Sequence, residues 1–337
     1  MALTQSQKSL IERAQAAGGG ELGTGLSNNA CGFLVATIIR DLGLVDQFPE
    51  IADKDFPEFF EETDPRKLEL QDLAFLDLIE RLIALVPDAD TYFACLATLQ
   101  KSRLKYARIL EHQPIPTMDQ VGPRSLLQYG QMSPRALAGF LLWRKWLYDI
   151  DNRAGQETGY LFEPIIAHSI GGASFSAARS PVKRHKNKAK GRQVDCIRQK
   201  LAYEIKIRVT IAASGQGRWR EELDFPIDCQ TSGFKPVLVV LDPTPNPKLK
   251  ELVAAFQGAG GETYVGDAAW GHLEGAAGRV MNLFLEKYVK APIQQTLEST
   301  PDGLPDVTFK MSDSVFCVLC EEEIAEFVRA PISSTLE

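Results

Sequence analysis

The run "KPVLVVLDP" (235–243) restricts the fold more than any other stretch of this chain. Five apolar residues, Val237 to Leu241, follow one another without a polar interruption, and Pro236 and Pro243 bound them. So short a run, rich in valine, reads as a strand buried on both faces. A strand of that kind needs covering layers on either side. The flanking sequence supplies candidates. "NPKLKELVAAFQGAGG" (246–261) reads as a helix with a glycine stop, "ETYVG" (262–266) as a short strand, and roughly 268–290 as a long amphipathic helix. Upstream, "GQETGYLFEPIIAHSIGG" (155–172) reads as a helix running toward Gly171-Gly172, with Pro164 kinking it or marking its start, and 191–209 reads as a strand pair. This order predicts an α/β fold, with a central mixed β-sheet flanked by helices.

Residues 1–150 read as mainly helical. "LELQDLAFLDLIERLIALV" (68–86) ends at Pro87, and "SPRALAGFLLWRKWLYDI" (133–150) opens with Ser133 as N-cap and Pro134 in the first turn. A chain of 337 residues predicts two domains, or one with a large elaboration. The expected division is a helical region over 1–150, serving contact with a partner or dimerisation, a core over 151–297, and a C-terminal extension over 298–337. No apolar run reaches membrane-spanning length, and "MALTQSQKSLIERAQ" lacks the apolar centre of a secretory signal. Six scattered cysteines read as reduced thiols, so a cytoplasmic protein is expected.

The net charge of −7 conceals an asymmetry. Arg179 to Val209 carries eleven Lys/Arg against two acids, a local +9, which leaves −16 for the rest. A basic segment on an acidic body is the electrostatic footprint expected of a protein that meets a polyanion. A solvated lysine-rich loop would give the same composition.

Within that segment lies "GRQVDCIRQKLAYEIKIRV" (191–209). Tyr203, Ile205 and Ile207 alternate with Glu204, Lys206 and Arg208, and Val194 and Cys196 bracket Asp195. Two strands joined near Gln199-Lys200 bring Asp195 and Glu204 to the same side, on an exposed face. An Asp and a Glu on adjoining strands can supply part of the oxygen cage that Mg²⁺ prefers. A lysine two residues after the Glu shares its face and can orient or help deprotonate an attacking water. The residues alone leave two readings open, a salt-bridged hairpin or a metal site that cleaves phosphodiesters.

"VD" at 194–195 followed by "YEIKI" at 203–207 resembles the PD-(D/E)xK nuclease superfamily, with Val194 where its name has proline. The longer pattern "GRQVDCIRQ…AYEIKIRVTIAASGQGRWREELDFP…KPVLVVLDPTPNPKL" is similar to that of the ApaLI-like restriction endonucleases. The resemblance implies a restriction-endonuclease-like core and a type II enzyme that hydrolyses double-stranded DNA at a short palindrome, GTGCAC, leaving 5′-phosphates. It implies Mg²⁺ as cofactor, replaceable by Mn²⁺, a homodimer, and a cognate DNA methyltransferase in the same restriction-modification system. Asp195, Glu204 and Lys206 would be catalytic, with Asp195, Glu204 and the Ile205 carbonyl as metal ligands. Glu163, in "GYLFEP", would be the helix-borne acid that is common in that superfamily and a further ligand. The alternative is a non-cleaving DNA-binding protein on the same fold.

Rival chemistries have less support. The four histidines (112, 168, 185, 272) include no partner for "KRHKNK", and His168 in "IIAHSI" reads as a packed core residue. Cys317 and Cys320 make one isolated CxxC, half of what a structural zinc requires. "SGQGRW" lacks the Gly-Lys-Ser/Thr of a phosphate loop. For DNA contact the expected residues are Lys183, Arg184, Lys186, Lys188 and Arg208 toward phosphates. Gln216, Arg218 and Arg220, in "ASGQGRWREE" (213–222), are candidates for base edges. Read otherwise, that stretch is a polar loop with Trp219 packed beneath.

Overall fold

The structure is a computed structural model describing residues 3–17, 22–207, 209, 216–299, 301 and 303–330, with only the backbone described at 216–218. The helical region comprises α1 (Gln5–Gln15), α2 (Asn28–Asp41), α3 (Pro49–Ala52), α4 (Phe75–Leu85), α5 (Ala89–His112), α6 (Met118–Val121) and α7 (Pro134–Ser169). The Ser27 side chain caps α2 by accepting from Ala30 N, and Ala30 to Ile39 are buried without a break. A helix apolar all round becomes the centre of its bundle. The helix expected over 68–86 begins only at Phe75.

α7 is one helix of 36 residues, about 54 Å long at 1.5 Å per residue. The boundary drawn at 150/151 falls inside it. Ser133 caps its start by accepting from Ala136 N, and Pro164 lies within it, removing the bond that residue would donate to the Tyr160 carbonyl. It ends where the sequence suggests. Gly171 adopts φ +69°, with Gly171 N donating to His168 O and Gly172 N to Ala167 O, the two bonds of a Schellman stop. His168 corrects the expectation of a packed core residue: it is exposed, while Ala167 and Ser169 beside it are buried.

The core contains a five-stranded sheet ordered β1-β4-β5-β6-β7. Its strands are β1 (Ala173–Phe175), β4 (Val194–Arg198), β5 (Leu201–Lys206), β6 (Lys235–Val240) and β7 (Glu262–Val265); β2 (Lys183–Arg184) and β3 (Asn187–Gly191) form a separate hairpin. β1/β4 and β4/β5 are antiparallel, while β5/β6 and β6/β7 are parallel, so the sheet is mixed. The parallel pairs are joined through α8 (Gln216–Thr231) and α9 (Pro247–Gly258). β6, the apolar run, separates two cores. Val237 and Val239 join α2, α4, α5 and α7 in one, whereas Leu238 and Val240 join Phe225 of α8 and Phe256 of α9 in the other.

The helix expected over 268–290 is segmented into α10 (Asp267–Ala276), α11 (Arg279–Leu285), a π-turn (Glu286–Lys290) and α12 (Ala291–Glu298). The break is at Ala277, whose ψ of 143° is extended, and at Gly278. The extension forms an antiparallel meander of β8 (Val307–Met311), β9 (Val315–Cys320) and β10 (Glu323–Val328). It packs Phe309, Phe316 and Phe327 on Trp143 and Trp146 of α7. Arg329 fastens it by donating to the Leu110 and Gln113 carbonyls at 2.8 and 2.7 Å. Cys317 and Cys320, three apart on β9, are half-buried thiols.

Candidate active site

The hairpin at the opening of β4 and β5 forms as its sequence suggests. Cys196 pairs with Tyr203 and Arg198 with Leu201, and Gln199 turns the chain at φ +57°. This register sets Asp195 opposite Glu204. Strict alternation would put Val194 and Cys196 on one face, and here the structure departs from it. The β1/β4 register slips between Ala173↔Ile197 and Phe175↔Val194, so Asp195 and Cys196 together face the single residue Ser174. Val194 consequently enters the α8/α9 core and Cys196 the opposite one. Bulges beside active sites re-aim side chains in this way.

The exposed face expected for the carboxylates is corrected too. α8 covers that side of the sheet. Asp195 is 7% exposed, and the side chains of Glu204 and Lys206 are 18% exposed. Ile205 N donates to Asp195 Oδ2 at 2.8 Å. The Lys206 carbonyl accepts from Leu241 N just beyond β6, so by alternation the Ile205 carbonyl points the other way, toward Asp195. Lys206 Nζ lies 3.1 Å from Glu204 Oε1 and 3.4 Å from Glu222 Oε2 of α8.

Burial raises Asp195 well above the ordinary carboxylate range, and Glu204 and Glu163 add to that; the Ile205 amide and Lys206 oppose it. Glu163, brought in by α7, is likewise raised by burial and by Glu204. Burial pulls Lys206 down, but Glu204 and Glu222 outweigh it and hold the ammonium above the ordinary lysine value. Held between Glu204 and Glu222, the ammonium is placed to orient a water and to stabilise negative charge. The strand pair, α7 and α8 thus bring Glu163, Asp195, Glu204 and Glu222 around one ammonium.

Carboxylates held close in a poorly hydrated site, with raised proton affinity, are donors suited to a hard divalent cation. Among the described residues no three Asp, Glu, His or Cys side chains converge at coordinating distance. Glu204 meets Lys206 through Oε1 and Asp195 meets Ile205 through Oδ2, and each carboxylate has a second oxygen with which to meet a cation.

A family model for ApaLI-like restriction endonucleases matches residues 60–290. The chain belongs to this family. It is 55% identical over 224 residues to the type II restriction enzyme ApaLI of Acetobacter pasteurianus, a match covering 65% of this chain and 60% of that protein. No solved structure gives a significant match. In this ApaLI-like chain the matched region takes in α4 to α11 and the whole five-stranded sheet.

The expected DNA-contacting residues fare differently. The basic hairpin β2/β3 is pinned to α8. Arg184 pairs with Glu221 at 2.7 Å, Lys186 with Asp224 at 2.5 Å, and His185 with the buried Asp228 at 2.6 Å. Lys183 Nζ donates to Ser180 O at 2.9 Å, while Lys188 and Lys190 are exposed. Arg208 lies outside the described residues, as do the side chains of Gln216 and Arg218. The expected loop over 213–222 is helical from Gln216 onward, with Glu221 paired to the hairpin and Glu222 to Lys206. Arg220 is exposed there, and Trp219 packs against α9, donating to Glu251 at 3.0 Å. Sequence reasoning missed Glu222, three residues before the core residue Phe225; helical spacing from Phe225 was the signal.

Proposed function

We propose that this chain is a type II restriction endonuclease, hydrolysing phosphodiester bonds of double-stranded DNA with Mg²⁺ at a short palindrome and leaving 5′-phosphates. The observation that carries this reading is the grouping of Asp195, Glu204 and Lys206 in one semi-buried site, with Glu163 beside them. Asp195, Glu204, the Ile205 carbonyl and Glu163 would hold the cation. Mg²⁺ when bound neutralises phosphate charge and lowers the pKa of water, and Mn²⁺ substitutes for it. The Lys206 ammonium orients the attacking water and stabilises negative charge at the phosphate. Burial beneath α8 limits bulk water, which strengthens each of these interactions.

The kinship to ApaLI supports GTGCAC as the site, and palindromic cleavage fits a homodimer with one centre per strand. A cognate methyltransferase would protect the host DNA. The test is incubation of plasmids with and without Mg²⁺, followed by sequencing of the ends. Discrete fragments with a common terminal sequence are expected only with the cation. Intact plasmid bound tightly under both conditions would favour a non-cleaving DNA-binding protein.

A further inference from the structure

α8 carries its acids on two stripes with different neighbours. Glu221, Asp224 and Asp228 recur at helical spacing and hold the basic hairpin. Glu222 lies instead on the stripe of Phe225 and Cys229, which are buried against the sheet. An acid on a core-facing stripe is costly unless it is paired. It meets Lys206 Nζ at 3.4 Å, and its side chain is only 21% exposed. Pro226 within α8 has no N–H, so the Glu222 carbonyl lacks its helical donor although the helix continues.

Lys206 therefore has two carboxylate partners, one on its own strand and one on α8. Lys206 meets Glu204 through Oε1 alone, and a cation sharing that carboxylate would draw charge from it and loosen its hold on the lysine. We propose that Glu222 is a positioning residue: it retains the Lys206 ammonium at the site when Glu204 also meets the divalent cation. This inference rests on the nuclease reading above. Without Glu222, the one carboxylate in direct contact with Lys206 would be Glu204, whose charge the cation shares, and the hold on the lysine would weaken. The acid acts on the reaction through the lysine and touches neither substrate nor cation.

The test compares wild type, Glu222→Gln, Lys206→Ala and the double variant, all checked for folding by circular dichroism. Mn²⁺ affinity is measured by calorimetry, DNA affinity in Ca²⁺, and single-turnover cleavage in Mg²⁺. For Glu222→Gln we expect Mn²⁺ affinity and cleavage rate to fall about 10–100-fold, the range for groups that orient site residues, with DNA affinity unchanged. Glu222→Asp should recover part of the loss. In the Lys206→Ala background, Glu222→Gln should leave Mn²⁺ affinity unaltered, because the residue through which it acts is gone. An equal loss in that background would make Glu222 a metal ligand and overturn the proposal, as would wild-type affinity and rate in Glu222→Gln. Absence of both Mn²⁺ binding and cleavage in wild type would instead sink the nuclease reading, and this inference with it.

Discussion

The backbone amide of Ile205 donates to Oδ2 of Asp195 at 2.8 Å, at a point where the β4/β5 ladder has already ended. The side chain takes the place of a strand partner, so one residue both closes the sheet edge and faces the site. Asp195 is held there among like charges, and burial is the largest cause of its raised proton affinity. We expect Asp195→Asn to abolish cleavage while preserving the acceptor for Ile205. Relief of the buried charge should raise unfolding free energy at neutral pH, because the amide has no charge to desolvate. Denaturant unfolding without divalent cations measures this; a clear loss of stability would contradict it.

Gly172 is where α7 meets β4. A Cβ there would lie 2.2 Å from Cys196 Sγ and 3.0 Å from the Ile197 carbonyl. Gly172→Ala should cost about 1–3 kcal/mol by overpacking and reduce cleavage by displacing the strand that carries Asp195. Adding Cys196→Ala should restore part of the stability, with the Ile197 carbonyl limiting the recovery. Additive losses in the double variant would refute the clash.

The basic hairpin allows a finer division than charge alone suggested. Arg184 and Lys186 are engaged by Glu221 and Asp224, whereas Lys188 and Lys190 are exposed. We expect Lys188→Ala and Lys190→Ala to weaken specific and random DNA binding alike, each lowering the salt-dependence slope by about 0.9. An unchanged slope would mean that the hairpin tip is merely solvated.

His272 is half-buried on α10, where burial disfavours its charged form. It stacks on Tyr264 at 4.0 Å and lies 3.2 Å from the Tyr203 hydroxyl, and burial lowers its pKa from 6.5. The unfolded chain then binds the proton more readily than the folded one. Stability is whole above pH 6.5 and declines as pH falls through that value toward the lower folded pKa. His272→Phe should reduce this acid sensitivity, read from unfolding midpoints between pH 7 and 5. An identical pH slope in the variant would exclude the assignment.

The hairpin register was legible because alternation over 201–206 and a turn at Gln199-Lys200 are both local. β6, α9 and β7 were legible for the same reason. The bulge at Asp195 has no proline or glycine to announce it, since it arises from pairing with β1. The continuity of α7 across 150/151 was hidden because Pro164 suggests a break that packing tolerates. Burial of the site depends on α8 folding back over the sheet, a tertiary fact that no window of sequence contains. Glu222 was obscured for that reason.

The pairing of Glu204 with Lys206 is the centre of the nuclease reading, and plasmid cleavage by wild type and Glu204→Gln tests it most directly. In Mg²⁺ we expect wild type to cut a supercoiled plasmid into fragments with one terminal sequence. Glu204→Gln should bind the same DNA and leave it intact. Cleavage by Glu204→Gln at the wild-type rate would contradict the assignment of this site.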